Sequence, residues 1–115
     1  MTYTDAAKEE LLGVPPETIQ AHGVVSLEVA RAMAEGIRQR SRTSVGLATT
    51  GIAGPTGGTP ERPVGLVCVG LAWDGGAVGR EYCMLGDREM VKYRGAQMAL
   101  EMLRRHLLGL PIDEA

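Results

Sequence analysis

The chain of 115 residues has no Phe, one Trp and three Tyr. A platform of rings on which successive bases could stack is therefore excluded. The core must be built from Leu, Val, Ile, Met and Ala. No excess of one charge exists either, since the formal net charge is -2. A nucleic-acid footprint of clustered Lys and Arg is absent. Two cysteines, Cys68 and Cys83, are too few and wrongly spaced for a metal knot or a disulfide framework. Both lie in strand-like apolar runs and read as small buried hydrophobes. No apolar run reaches the length of a membrane span, and the polar start has no leader pattern. A cytoplasmic location is the default.

What is present is ordinary for one globular domain, with 44% hydrophobic and 23% charged residues. Thr4 to Leu12 reads as a short helix closed by Gly13, and Pro16 starts a brief helical turn. Ser26 suits the N-cap of a helix from Leu27 to about Arg40. Val29, Met33 and Ile37, with Ala30 and Ala34, form its apolar stripe. Val45 to Thr50 reads as a buried strand. Pro63 to Trp73 reads as a central strand covered on both faces. Asp74-Gly75-Gly76 signals a hairpin into a partner strand from Ala77 to Leu85. Asp87 caps a last helix from Arg88 to about Leu108, with Val91, Met98, Met102, Leu103 and Leu107 on its apolar side. Gly109 and Pro111 stop it. This order gives an α/β fold, a three-layer α/β/α sandwich with a mixed sheet.

The most unusual segment runs from Thr49 to Pro60, TTGIAGPTGGTP. It follows a strand, and ligands in open α/β sheets collect at the carboxyl ends of strands. Glycine lets a ligand approach peptide N–H groups closely. Beside them the Thr50 hydroxyl would suit a phosphate or a developing oxyanion. On composition alone, a Gly/Pro-rich stretch between two strands is more often a plain connection. Neither a Walker pattern nor a dinucleotide fingerprint is present.

The stretch TTGIAGPTGGTPERPVGLVCVGLA resembles the CinA C-terminal domain family, which includes nicotinamide-nucleotide amidases. Flanking segments agree in order along the chain. Tyr3-Thr4-Asp5-Ala6-Ala7-Lys8 with Leu11-Leu12-Gly13-Val14 is similar to the family's Tyr-Ser-Asn-x-x-Lys and Leu-Leu-Gly-Val. His22-Gly23-Val24-Val25-Ser26 and Gly86-Asp87-Arg88 match two helix starts. The resemblance spans Tyr3 to Leu108.

It implies hydrolysis of the carboxamide of nicotinamide mononucleotide, giving nicotinate mononucleotide and ammonia, without metal or other cofactor. It implies Lys8 as general base, with Tyr3 and Thr50 in the same catalytic site. Gly51, Gly54, Gly57 and Gly58 would hold substrate or oxyanion. Arg88 and Lys92 would meet the nucleotide phosphate near a helix N-terminus. The family more often has arginine at Lys92; lysine keeps the charge but loses the bidentate fork. The family's nucleophile is the serine of a Glu-Ser-Cys-Thr-Gly-Gly motif, and that motif does not occur in this sequence. One strand and one helix of the family domain are expected to be missing with it, ahead of Tyr3. The chain alone is then expected to be inactive, as a fragment of an amidase or as a short protein that binds nucleotide without catalysis. Homo-oligomers are expected; membrane and nucleic-acid partners are not.

Overall fold

The computed structural model describes residues 13–23, 25–52, 54, 58 and 63–112. The expected helix over Thr4 to Leu12 lies outside them. The elements run α1 (Pro16–His22), α2 (Leu27–Ser41), β1 (Val45–Gly51), β2 (Leu66–Trp73), β3 (Gly76–Cys83) and α3 (Arg88–Leu108). The strands form one sheet in the order β1-β2-β3. α2 covers one face and α3 the other, with β2 buried along nearly its whole length.

The sheet is not mixed among the described residues: both pairings are antiparallel. For β2 and β3 the reason is in the connection. Asp74-Gly75 is a two-residue turn, a connection that only an antiparallel pair can use.

Local chemistry sets the helix bounds. The Ser26 hydroxyl accepts from Val29 N at 3.2 Å, and the Asp87 carboxylate accepts from Met90 N at 2.9 Å. These are the two caps that the residue types suggest. Gly109 closes α3 in the left-handed region at φ 73°. Val29, Ala30, Met33 and Ala34 are the buried stripe of α2. In α3 the buried line is Val91, Gly95, Ala99 and Met102. His106 stacks obliquely on Trp73 with ring centroids 4.5 Å apart, holding the end of α3 to the end of β2.

Three expectations about burial fail here. Of the strand expected to be buried from Val45 to Thr50, only Gly46 is, since β1 is an edge of the described sheet. Leu107 is exposed, because five residues past Met102 a helix has turned by about 140° from the core direction. Cys83 is exposed as well, while Cys68 is fully buried; Cys83 is the last residue of β3, an edge strand among the described residues.

The α2 face of the sheet has a floor of glycines. Gly46, Gly70 and Gly79 stand on β1, β2 and β3. A Cβ on them would overlap the carbonyl oxygens of Ala34, Ala30 and Leu27 respectively. Those three residues lie on one line of α2, so the helix crosses the strands with its own backbone against theirs. Gly70 is paired with Gly79 across β2 and β3. This close approach leaves no room for a methyl group. Gly70→Ala should lower stability by about 2 kcal/mol or more, read as a fall in the urea midpoint. Leu85→Ala, at an exposed site, should shift it by less than about 0.5 kcal/mol. Equal midpoints for the two variants would show that the floor is not under constraint.

Candidate functional site

β1 delivers the chain to the glycine loop at Gly51. Four backbone bonds close the base of that loop. Ile52 N donates to Leu66 O at 2.9 Å and Gly65 N to Ile52 O at 2.7 Å. Leu66 N donates to Pro63 O at 3.1 Å and Met84 N to Gly65 O at 2.7 Å. The exit of β1, the entry to β2 and the exit of β3 are thus tied at one end of the sheet.

Gly54 is buried inside the loop with φ 85°. A Cβ there would meet Val64 Cγ1 at 2.5 Å, and one on Gly58 would meet Val64 N at 2.7 Å. At these two positions glycine makes room for the loop's own Val64. That is a packing reason which stands beside any ligand reason. Val64 gave no sign of this role in the sequence, where it reads as one more apolar strand residue.

Arg88, in the first turn of α3, reaches the same loop. Its Nη1 donates to the Gly54 carbonyl at 3.0 Å, across a separation of 34 residues. The structure therefore brings together three segments singled out by sequence: the end of β1, the glycine loop and the head of α3. Lys92 is exposed one turn further along α3. Asp87 and Glu89 flank Arg88, and their carboxylates offset the positive end of the helix dipole. An anion held here would depend on the Arg88 and Lys92 side chains more than on the bare helix end.

Thr50 is half-buried and pairs with Cys68. Directly paired side chains share a face, and Cys68 packs with Val25 and Ala30 below α2. Thr50 is therefore on the α2 face, whereas Arg88 starts the helix on the opposite face. What they share is the loop: Thr50 leads into it along β1, and Arg88 bonds to Gly54 within it. Gly51 is exposed where β1 ends. Tyr3, Lys8 and Gly57 lie outside the described residues.

Two open grooves lie elsewhere. One of about 520 Å³ runs between α1 and α2 past Thr18, His22 and Arg31. Another of about 560 Å³ runs along α3 past Met98, Leu100 and Arg104. Neither is lined by Thr50 or a loop glycine. Among the described residues no helix is long and apolar enough to cross a membrane.

Comparison with known proteins adds the wider setting. Residues 1–107 match the CinA C-terminal domain. A putative competence-damage inducible protein of Thermoanaerobacter sp. (strain X514) is 47% identical over 98% of this chain. A CinA-like protein of Gemmatimonas aurantiaca is 51% identical over all of it. The chain spans about a quarter, 27%, of the length of each of these relatives. Two crystal structures are similar. The competence damage-inducible protein A of Klebsiella pneumoniae superposes with a TM-score of 0.87 and 32% identity, over 93% of this chain and 66% of that one. The competence/damage inducible protein of Agrobacterium tumefaciens superposes with a TM-score of 0.85 and 41% identity, over 89% of this chain and 63% of that one.

The Arg88 contact is the checkable part of this geometry. Arg88→Ala removes the bond to Gly54. The expected result is faster amide exchange at Ile52 and Gly65, with a drop in global stability of at most about 1 kcal/mol. Unchanged exchange at both amides would mean that Arg88 does not hold the loop.

Proposed function

Because the chain belongs to the CinA C-terminal domain family, we propose that it carries the substrate-holding part of an amidase site for nicotinamide mononucleotide. The observation that supports this most is the Arg88–Gly54 bond. It joins the Arg88 guanidinium, at the head of α3, to a glycine loop at a strand end, where ligands of open α/β sheets collect, with the Lys92 ammonium one turn further along. In this reading the loop backbone receives the carboxamide oxygen as it becomes an oxyanion. Thr50 contributes its hydroxyl from the α2 side. Arg88 and Lys92 face the nucleotide phosphate, and Lys92 contributes charge without a fork. Lys8 takes the proton of the attacking serine, with Tyr3 beside it. A serine is inert at its free pKa and needs such a base.

The serine motif is not among these 115 residues. That observation favours a second reading for the isolated chain, binding of nucleotide without hydrolysis. The two are separated by ammonia release from nicotinamide mononucleotide. The chain alone should show no turnover, and measurable turnover would overturn the assignment of roles. A hybrid should release ammonia if it joins the region preceding the match in the Gemmatimonas aurantiaca relative to this chain. In that hybrid Lys8→Ala should cost about 10²–10⁴-fold in rate, the usual worth of a general base. A hybrid that hydrolyses equally well without Lys8 would remove that residue from the mechanism.

A further inference from the structure

The chain leaves β3 at Cys83 and enters α3 at Arg88, by way of residues 84–87. The middle of this turn has little to hold it. Leu85 is 76% exposed, so its side chain packs on little. Gly86 follows at φ 118°, a left-handed conformation that glycine adopts without strain and leaves as easily. A Cβ there would meet Met90 Cβ at 2.8 Å, so a bulkier residue does not fit to stiffen the turn.

Three hydrogen bonds supply what packing does not. Met84 N donates to Gly65 O at 2.7 Å and ties the start of the turn to the base of the glycine loop. The Asp87 carboxylate accepts from Met90 N at 2.9 Å and ties its end to the helix. Between them, Arg94 Nη1 donates to Leu85 O at 3.1 Å, a carbonyl nine residues earlier. Helical side chains lean towards the N-terminus, so Arg94 reaches back to the turn from well inside the helix.

Arg94 is not placed to touch a ligand at the loop. Six residues from Arg88, it is rotated by about 240° around the helix axis. It borders the groove past Met98 and Leu100, which neither Gly54 nor Gly58 lines. What it can do is set the place of Arg88. Arg88 uses Nη1 on the Gly54 carbonyl, which leaves Nε and Nη2 as the fork for two phosphate oxygens. A preorganised contact of this kind tolerates errors of only about 0.5 Å and 10–20°. Lys92 offers a point charge and demands no such precision. Loosening the turn at Gly86 therefore costs the fork first.

We propose that Arg94 is a positioning residue: by holding the Leu85 carbonyl it keeps the Arg88 guanidinium in register with the phosphate of a mononucleotide. The proposal rests on the phosphate role of Arg88 given above. It confines the effect of Arg94 to ligands that carry the phosphate.

Calorimetric titration of the 115-residue chain with nicotinamide mononucleotide and with nicotinamide riboside tests it. Salt at about 0.3 M screens the remote charge of Arg94 from the ligand. Arg94→Ala should weaken mononucleotide binding about 3–10-fold, the worth of one ordinary hydrogen bond, and leave riboside binding unchanged. In an Arg88→Ala background, Arg94→Ala should add less than about 2-fold, because a residue that acts through another is not additive with it. Equal weakening of both ligands would make Arg94 a support of the fold and overturns the proposal. So does a full effect of Arg94→Ala in the absence of Arg88. Mononucleotide binding that is weakened by Arg88→Ala but untouched by Arg94→Ala removes the positioning role alone. If Arg88→Ala leaves mononucleotide binding unchanged, or the chain binds neither ligand, the phosphate role of Arg88 falls and the positioning role falls with it.

Discussion

The contact on which the rest of this structure depends is backbone against backbone. α2 lies on Gly46, Gly70 and Gly79 so closely that the carbonyls of Ala34, Ala30 and Leu27 take the space of the missing side chains. Interiors are close-packed, and a gap or an extra methyl is felt at once. The depth at which α2 sits fixes the height of Val25 and Ala30 over Cys68. Ile52 and Leu66 pack against the same cluster, so the base of the glycine loop takes its position from the helix. A glycine floor thus reaches the candidate site without any of its three members being part of it.

The opposite face works differently. α3 is held by side chains: Val67, Val69 and Leu71 against Val91, Ala99 and Met102. Such a contact adapts more readily than one between backbones. Its precise element is at the two ends. Asp87 and Arg88 fix the head, through Met90 N and the Gly54 carbonyl, and the Trp73–His106 stack fixes the tail. The loop is therefore clasped from both layers. That arrangement accounts for the burial of Gly54.

Much of this was legible in the residues. Both caps, the hairpin turn and the doubly covered central strand follow from Ser26, Asp87, Asp74-Gly75 and the run ending at Trp73. The two-residue turn even implies that Gly70 opposes Gly79. What it does not imply is the angle of α2, which decides that Gly46 joins them. Leu107 was misplaced because an apolar residue near a helix end fits either side of the period. Cys83 was misplaced because an apolar run does not reveal whether a strand end is covered. At the candidate site, the family resemblance singled out the loop, Thr50 and Arg88. It did not show that Thr50 and Arg88 approach from opposite faces, since that depends on which parity of β1 turns towards α2. Nor did it show that Gly54 and Gly58 answer to Val64. That contact depends on how the loop folds back, and no local pattern records it.

The bond between Gly54 and Arg88 also orders events in time. Its two ends are 34 residues apart, and the later one opens the last helix. While the chain is being made, the loop emerges well before the residue that clasps it. At about 5–20 residues per second the interval is roughly 2–7 s. The sheet and α2 are complete in sequence by then, but the loop still lacks its fastening. The loop can therefore be fastened only after the sheet and α2 are complete in sequence, once Arg88 has been made and α3 has begun to form.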